Sequence, residues 1–227
     1  MRFPGESDEY REARDALMAS EVELRRLITA VAAERAALPL GGEVPQDYEF
    51  AEWDEGSGAA RVVALSDLFG DRDALFLYSF MWVPESQGLG FVGPCPSCTS
   101  IIDGVDGQVP HIEARIAFAV ASAGGAREFR EHGNAHGWRH ARLLSAAPSS
   151  YSVDYGAQDA DGGQWPLATV FVRRGGRIRH FWSSEIWGAE RDAGQDPRHV
   201  DFMWPMWAIF DRTPGGRGDF HPAFHYD

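Results

Sequence analysis

The sequence predicts an α/β domain with a mixed central sheet covered by helices on both faces. Three features carry that prediction. Residues 74–82 form a near-continuous apolar run, the pattern of a strand buried on both faces. A second such run at residues 115–121 is followed by a stretch of helical character at 125–136. Residues 167–173 and 178–182 flank Arg174-Gly175-Gly176-Arg177, a β-hairpin signature. Strand, helix, strand, helix, hairpin and helix is the order of an α/β sheet.

The first element is a helix. Ser7 or Asp8 can cap it, and it runs towards Ala37. Tyr10, Leu17, Leu24 and Val31 recur at seven-residue spacing, with Ala13, Leu27 and Ile28 filling the same stripe. Pro39 and Gly41-Gly42 end it. The stripe has to be covered by the domain itself or by a second copy. A docking arm is the plainer reading, and a homodimer through this helix is the other. Residues 48–53 and 61–65 read as strands, and Ser66-Asp67-Leu68-Phe69-Gly70 as a turn or short helix. The buried strand of 74–82 comes next. After a Gly/Pro loop a helix can start at Cys95, with Pro96 in its first turn. Past the second buried strand and its helix, residues 138–144 read as a short strand, and 145–163 as polar and turn-rich with no assigned element. A last helix is expected over 198–210, kinked at Pro205, and a surface tail from Thr213. The expected organisation is an N-terminal helical extension (1–45), the sheet domain (46–212) and a C-terminal tail (213–227).

Composition limits the partners. The chain has 227 residues, 44% of them hydrophobic, enough for a sizeable core. Its formal net charge is −13, and each of its 21 basic residues is an arginine. That balance repels phosphate backbones and anionic bilayers, so neither nucleic acid nor a membrane is an expected partner. No run is long and apolar enough to span a bilayer. The first 20 residues are charged rather than apolar, so they do not read as a secretory signal. A cytoplasmic location is the expectation, and there a static structural disulfide is disfavoured.

The chain has two cysteines, and they stand as Cys95-Pro96-Ser97-Cys98. A C-x-x-C pair after a strand and at a helix start reads as a thioredoxin-like redox motif. Two intervening residues let the sulfurs meet across the first helical turn. The free N–H groups and positive end of the helix favour a thiolate at the first cysteine, and thiolate is the attacking species in disulfide exchange. Cys95, at the exposed helix edge, is therefore the expected nucleophile. Cys98, one turn in, is the expected resolving thiol. Pro96 stiffens the helix start, and Ser97 can hydrogen-bond a sulfur. Two other readings stand beside this one. The pair can be half of a metal site, although a tetrahedral zinc site wants four ligands and histidines would have to supply the rest. It can also be redox-silent on an interaction protein. No cofactor and no metal is expected.

Trp165-Pro166 stands just before the strand that opens the hairpin. Thioredoxin folds place a cis-proline there, facing the cysteine pair, and the preceding residue then offers backbone hydrogen bonds to an extended substrate. An ordinary strand-starting proline is the alternative.

Further segments share a pattern. They are Glu34-Arg35-Ala36-Ala37-Leu38-Pro39, Asp47-Tyr48-Glu49-Phe50, Leu65-Ser66-Asp67-Leu68-Phe69-Gly70 and Tyr78-Ser79-Phe80-Met81. Gly93-Pro94-Cys95-Pro96-Ser97-Cys98, Asp103-Gly104, Val170-Phe171, His180 and Pro214-Gly215-Gly216-Arg217 continue it. On these residues the chain resembles the thioredoxin-like family known as domain of unknown function 899, whose members are described as predicted dithiol-disulfide oxidoreductases. The resemblance runs from about residue 22 to residue 218. It implies a thioredoxin-like fold, an N-terminal helical extension and both cysteines at the site, and it implies no particular substrate. Two departures stand out. The segment after His180 reads Phe181-Trp182-Ser183-Ser184-Glu185-Ile186-Trp187-Gly188 where the family is Thr/Tyr/Ser-rich and ends in Ala-Arg-Gly. The last helix is unusually aromatic, with Trp204 and Trp207.

The remaining candidates are weaker. His180 ends a strand and could reach the site, although a satisfied histidine is the commoner outcome. His221 and His225 lie beside Pro222 in the tail. His132, His136 and His140 recur at helical spacing, but Gly133 and Gly137 favour a solvated face. The tryptophans read as core or near-site packing, with an aromatic groove beside Cys95 as a hypothesis. A peroxiredoxin would place Thr or Ser three residues before its reactive cysteine. Val92 stands three before Cys95, and Cys95 three before Cys98, which counts against one. Glutathione chemistry ranks lower still, because the acidic surface does not favour an anionic tripeptide. The expected partner is a protein or small-molecule thiol or disulfide.

Overall fold

Helix α1 spans Asp8–Ala36 and starts as its sequence dictates: the Ser7 hydroxyl accepts from the Tyr10 N–H at 3.1 Å, with Asp8 and Glu9 in the first turn. None of its residues is buried, and Leu17, Leu24, Leu27 and Ile28 are each more than half exposed. The computed structural model describes residues 2–193 and 196–226, in two compact units, Met1–Leu40 and Gly41–Asp227.

The second unit is built on a sheet of seven strands in the order β2-β1-β7-β6-β3-β8-β9. Strands β1 (Glu49–Asp54) and β2 (Ala59–Ala64) form a hairpin, and the one-turn helix α2 (Leu65–Leu68) leads to β3 (Ala74–Phe80). A two-stranded ribbon, β4 (Trp82–Val83) with β5 (Gly93–Pro94), precedes α3 (Pro96–Val105), which continues through a 3₁₀ turn into α4 (Val109–Glu113). Strand β6 (Ala117–Ser122), helix α5 (Ala126–Ala135) and strand β7 (Arg142–Ser145) follow. The one-turn helix α6 (Tyr151–Asp154) stands in the stretch without a predicted element. Strands β8 (Leu167–Arg174) and β9 (Arg177–Ser183) close the sheet.

β3 runs parallel to β6, and β6 parallel to β7. The β8–β9 hairpin lies antiparallel on the other side of β3. Its turn places Gly175 at φ 59° and Gly176 at φ 77°, the left-handed pair that a tight hairpin asks for and that glycine adopts without a Cβ clash. Parallel strands joined through helices and extended by an antiparallel hairpin make the domain thioredoxin-like, with a mixed sheet flanked by helices.

Strand periodicity divides the core in two. Leu75 and Leu77 point to one face, with Ala119, Leu144 and Phe171. Tyr78 and Phe80 point to the other, with Val120, Leu143, Ile102 and both cysteines. Each large side chain buried in this way contributes on the order of 1.5–3 kcal/mol.

The last helix differs from expectation. A 3₁₀ turn at Asp201–Met203 stops, and a separate helix α7 runs from Pro205 to Phe210. Pro205 does not kink a continuous helix; it starts a new one. Trp204 before it leaves helical geometry, at φ −123° and ψ 78°, because the proline ring disfavours the α region for its predecessor. Among the described residues no helix is long and apolar enough to cross a membrane.

Candidate active site

Helix α3 positions the thiols. Cys95 is its N-cap, in extended geometry at φ −74° and ψ 126°, and Pro96 occupies the first helical position. The Cys95 N–H donates to the Met81 carbonyl at 3.1 Å, which ties the helix start to the end of β3. The Cys95 carbonyl accepts from the Thr99 N–H and from the Thr99 hydroxyl, each at 2.9 Å. At the other end, the Asp106 carboxylate accepts the N–H groups of Arg139, His140 and Ala141 at 3.0, 3.0 and 2.8 Å. The Asp103 carboxylate accepts from the Trp138 indole at 2.7 Å. The helix is thus clamped along its length, and its N-terminus is aimed at the cavity described below.

The two sulfurs are free thiols with opposite electrostatics. Cys95 is lowered from 9.0 to about 7, chiefly by a hydrogen bond from the Cys98 side chain. Burial opposes this, and the N–H groups of Cys98 and Ser97 and the Ser97 hydroxyl reinforce it. Cys98 is pushed well above the usual thiol range, first by burial, then by its bond to Cys95 and the charge there. The Tyr78 hydroxyl donates to the Cys98 sulfur at 3.3 Å. Tyr78, Cys98 and Cys95 therefore form a chain of donors that ends on one thiolate.

Cys95, Cys98 and Tyr78 line a cavity of about 460 Å³. The Trp165 and Trp187 rings lie 5.3 Å apart on its wall, and Trp187 meets His199 at 4.9 Å. Trp204 and Trp207 form a second pair at 5.2 Å. This aromatic wall is fastened to the thiol helix: the Trp204 indole donates to the Ser100 hydroxyl at 3.1 Å. Gly104 packs closely on this wall: a Cβ there would stand 3.3 Å from the Pro205 ring, so the ring would have to shift by a few tenths of an ångström. Arg217 lies 5.0 Å over the Trp207 ring and is bound by Asp201 at 2.8 Å and Asp211 at 2.7 Å.

The residues expected at the site converge. Cys95, Ser97, Cys98, Trp165 and Pro166 line the cavity together, and Pro96, the first residue of the helix, is not among its lining residues. Two expectations are corrected, and one choice that the sequence left open is decided. Cys95 is not at an open edge; it is 6% exposed, in one buried cluster with Met81, Val200, Met203 and Trp204. The Trp165–Pro166 bond is trans, as are all peptide bonds among the described residues, in line with the general preference of X–Pro bonds. The Trp165 N–H is already used, donating to the Ala157 carbonyl at 2.9 Å, while the Pro166 carbonyl pairs with the His199 ring at 2.9 Å. Finally, His132 is not on a solvated face. It is half-buried, with its Nε2 3.0 Å from the Thr99 hydroxyl, and burial followed by the nearby His136 lowers it to about 4.

His180 does not reach the thiols. It pairs with Phe171 across the hairpin and stacks on Tyr155 on the opposite face, with its Nε2 2.9 Å from the Ser183 hydroxyl. His221 lines the cavity and His225 does not. The segment after Thr213 stays near the surface yet brings Arg217 and Phe220 to the wall. Among the described residues no three His, Cys, Asp or Glu side chains gather as metal ligands. Sequence reasoning missed Tyr78, His199 and Arg217 as site residues. The signal for Tyr78 was strand parity with Phe80; for Arg217 it was the Pro214-Gly215-Gly216-Arg217 segment. His199 carried no local signal.

Comparisons with known proteins agree with the resemblance in the sequence. The profile of the family described as "Bacterial protein of unknown function (DUF899)" matches residues 2–225. No curated protein matches the chain. Among solved structures, the peroxidoxin BcpB from Mycobacterium tuberculosis is similar, at 17% identity and a TM-score of 0.44, over 74% of this chain and 94% of that one. The mitochondrial 2-Cys peroxiredoxin from Plasmodium falciparum is similar at 14% identity and a TM-score of 0.44, over 78% and 98%. An uncharacterised conserved protein from Geobacillus kaustophilus is similar at 13% identity and a TM-score of 0.43, over 69% and 74%.

Proposed function

The chain belongs to the DUF899 family of bacterial proteins, and from that premise we propose that it is a thiol–disulfide oxidoreductase working through Cys95 and Cys98. The observation that carries this reading is the convergence of donors on the Cys95 sulfur, which lowers its pKa to about 7 while that of its buried neighbour is raised. A low-pKa thiolate facing a cavity is the attacking partner that disulfide exchange requires.

The Cys95 thiolate attacks one sulfur of a bound disulfide. That S–S bond breaks, a mixed disulfide forms on Cys95, and the first thiolate departs with the proton of Cys98. The negative charge on Cys95 is then gone, and with it one cause of the high Cys98 pKa. The Tyr78 hydroxyl steadies the new Cys98 thiolate. Cys98 attacks the Cys95 sulfur, the second substrate sulfur leaves as a thiolate that takes a proton from water, and a Cys95–Cys98 disulfide remains. Two electrons have passed from the protein to the substrate, and an external dithiol restores the starting state. Trp165, Pro166 and Ser97 line the position the substrate takes.

Reduced protein mixed with a small disulfide such as bis(2-hydroxyethyl) disulfide should reduce it and become lighter by two hydrogens. The Cys95→Ser variant should do neither. Unchanged reduction by that variant overturns the reading, as does stoichiometric zinc in the purified protein that is lost with Cys95.

A further inference from the structure

We propose that the cavity selects small, uncharged disulfides bearing a flat aromatic group, in preference to anionic or protein disulfides; this rests on the thiol–disulfide reading. Access argues first. Cys95 is 6% exposed and lines a cavity of about 460 Å³. That space matches a small ligand that is mostly enclosed. A disulfide in a folded protein would need an open surface at the sulfur, and Cys95 is buried on a cavity it shares with Trp165, Trp187, Trp204 and Trp207. The Trp204–Ser100 bond and the Gly104–Pro205 contact hold that wall to the thiol helix.

The chemistry of the wall argues second. Trp165 and Trp187 pack at 5.3 Å with their planes at 49°, and Trp204 and Trp207 at 5.2 Å with theirs at 67°. Rings set at such angles leave faces and edges for a further ring to meet, the arrangement aromatic groups prefer.

Charge argues third. Two arginines line the cavity, Arg198 and Arg217, and two aspartates, Asp196 and Asp201, line it with them. Arg217 is already held by Asp201 and Asp211. Burial lowers His199 below its ordinary value, so it stays uncharged at neutral pH. The cavity therefore has no cationic excess for the carboxylates of glutathione disulfide, and the net charge of −13 repels that anion at longer range.

The exchange is the one written above: one substrate S–S bond is lost, one Cys95–Cys98 bond forms, two small thiols leave, and a dithiol such as dithiothreitol resets the pair. The test is single turnover with the full-length reduced protein. The probes are benzyl 2-hydroxyethyl disulfide, bis(2-hydroxyethyl) disulfide, glutathione disulfide and insulin. Formation of the Cys95–Cys98 bond is followed by acid quench and mass spectrometry. Each rate is divided by the rate of dithiothreitol with the same probe, which removes differences in leaving group. The benzyl probe should exceed the others by about tenfold or more. That ratio should fall towards one in Trp187→Leu, and in Trp207→Leu should Trp187→Leu fold poorly. Equal normalised rates for the benzyl probe and glutathione disulfide, with the Cys95–Cys98 bond still forming, overturn the selectivity and leave the oxidoreductase reading standing. No such bond with any probe overturns both.

Discussion

On β3, Leu75 and Leu77 enter one face of the sheet and Phe76, Tyr78 and Phe80 the other, and the two faces are finished in different ways. The first is closed by rings packed on rings. Phe50 meets Tyr151 at 5.2 Å, Tyr48 meets Tyr151 at 5.8 Å, and Tyr155 meets Phe171 at 4.9 Å. The Tyr48 hydroxyl ends at the rim, donating to Asp154 at 2.8 Å. The second face has more aromatic side chains and still leaves a cavity of about 460 Å³ beside Cys95. There the Trp204 indole is tied to Ser100 on α3 and the His199 ring to the Pro166 carbonyl. Filling that space would bring more packing and would seal the sulfur. The contrast teaches that both faces bury a core, while the reactive group and the space beside it lie on one of them.

The sharpest way to break the contrast is to exchange one residue on each side. Cys95→Ser should take disulfide reduction down to the uncatalysed background, because a hydroxyl is not ionised at neutral pH, while the urea midpoint stays close to that of the parent. On the closed face, Phe171 is 0% exposed, and Phe171→Ala should cost about 3–5 kcal/mol in urea unfolding. Its folded fraction should keep the alkylation rate of Cys95. A loss below about 1 kcal/mol, or a change in Cys95 reactivity in the folded protein, would mean that the two faces are not separate in this way.

These two sides were unequally legible in the sequence. Strand β3, the Gly175-Gly176 turn and the Cys95-Pro96 helix start are local patterns, and the structure has all three where their residues place them. The wall of the cavity is not local. Trp204 meets Ser100 from 104 residues away, and His199 meets Pro166 from 33, and neither pair has a period to read. The side on which His180 falls depends on the irregular register between Val170 and Phe171, which composition does not encode. Helix α1 is the converse case: its seven-residue stripe was plain, but periodicity finds a face without saying what covers it.

Titration sharpens the comparison within the open face. With a Cys95 pKa of about 7, lowered from 9.0, the thiolate is the minor form below that value and the major form above it. Alkylation by uncharged iodoacetamide should therefore rise with pH, pass half-maximum near 7 and level off before the ordinary thiol range. Cys98, raised by burial, should remain unmodified over the same span. In Cys98→Ala the main donor to Cys95 is lost, and the midpoint should move up. A midpoint that stays in place would assign the acidity to the backbone N–H groups and the Ser97 hydroxyl alone.

The smallest effect belongs to Tyr78, whose ring is part of the packing and whose hydroxyl is part of the chemistry. Tyr78→Phe keeps the ring and removes one donor to the Cys98 sulfur, at 3.3 Å. A hydrogen bond of this kind contributes about 0.5–1.5 kcal/mol net, so the step it serves should slow by roughly two- to tenfold. That step is the attack of Cys98 on the mixed disulfide, since the hydroxyl bonds the resolving sulfur rather than the attacking one. Quenched reactions of the variant should accordingly accumulate the mixed disulfide on Cys95, while its first-step rate and its Cys95 alkylation midpoint change less. Slowing of the first step alone would move the role of Tyr78 from the resolving thiol to the nucleophile, and the ordering of the donor chain would have to be reversed.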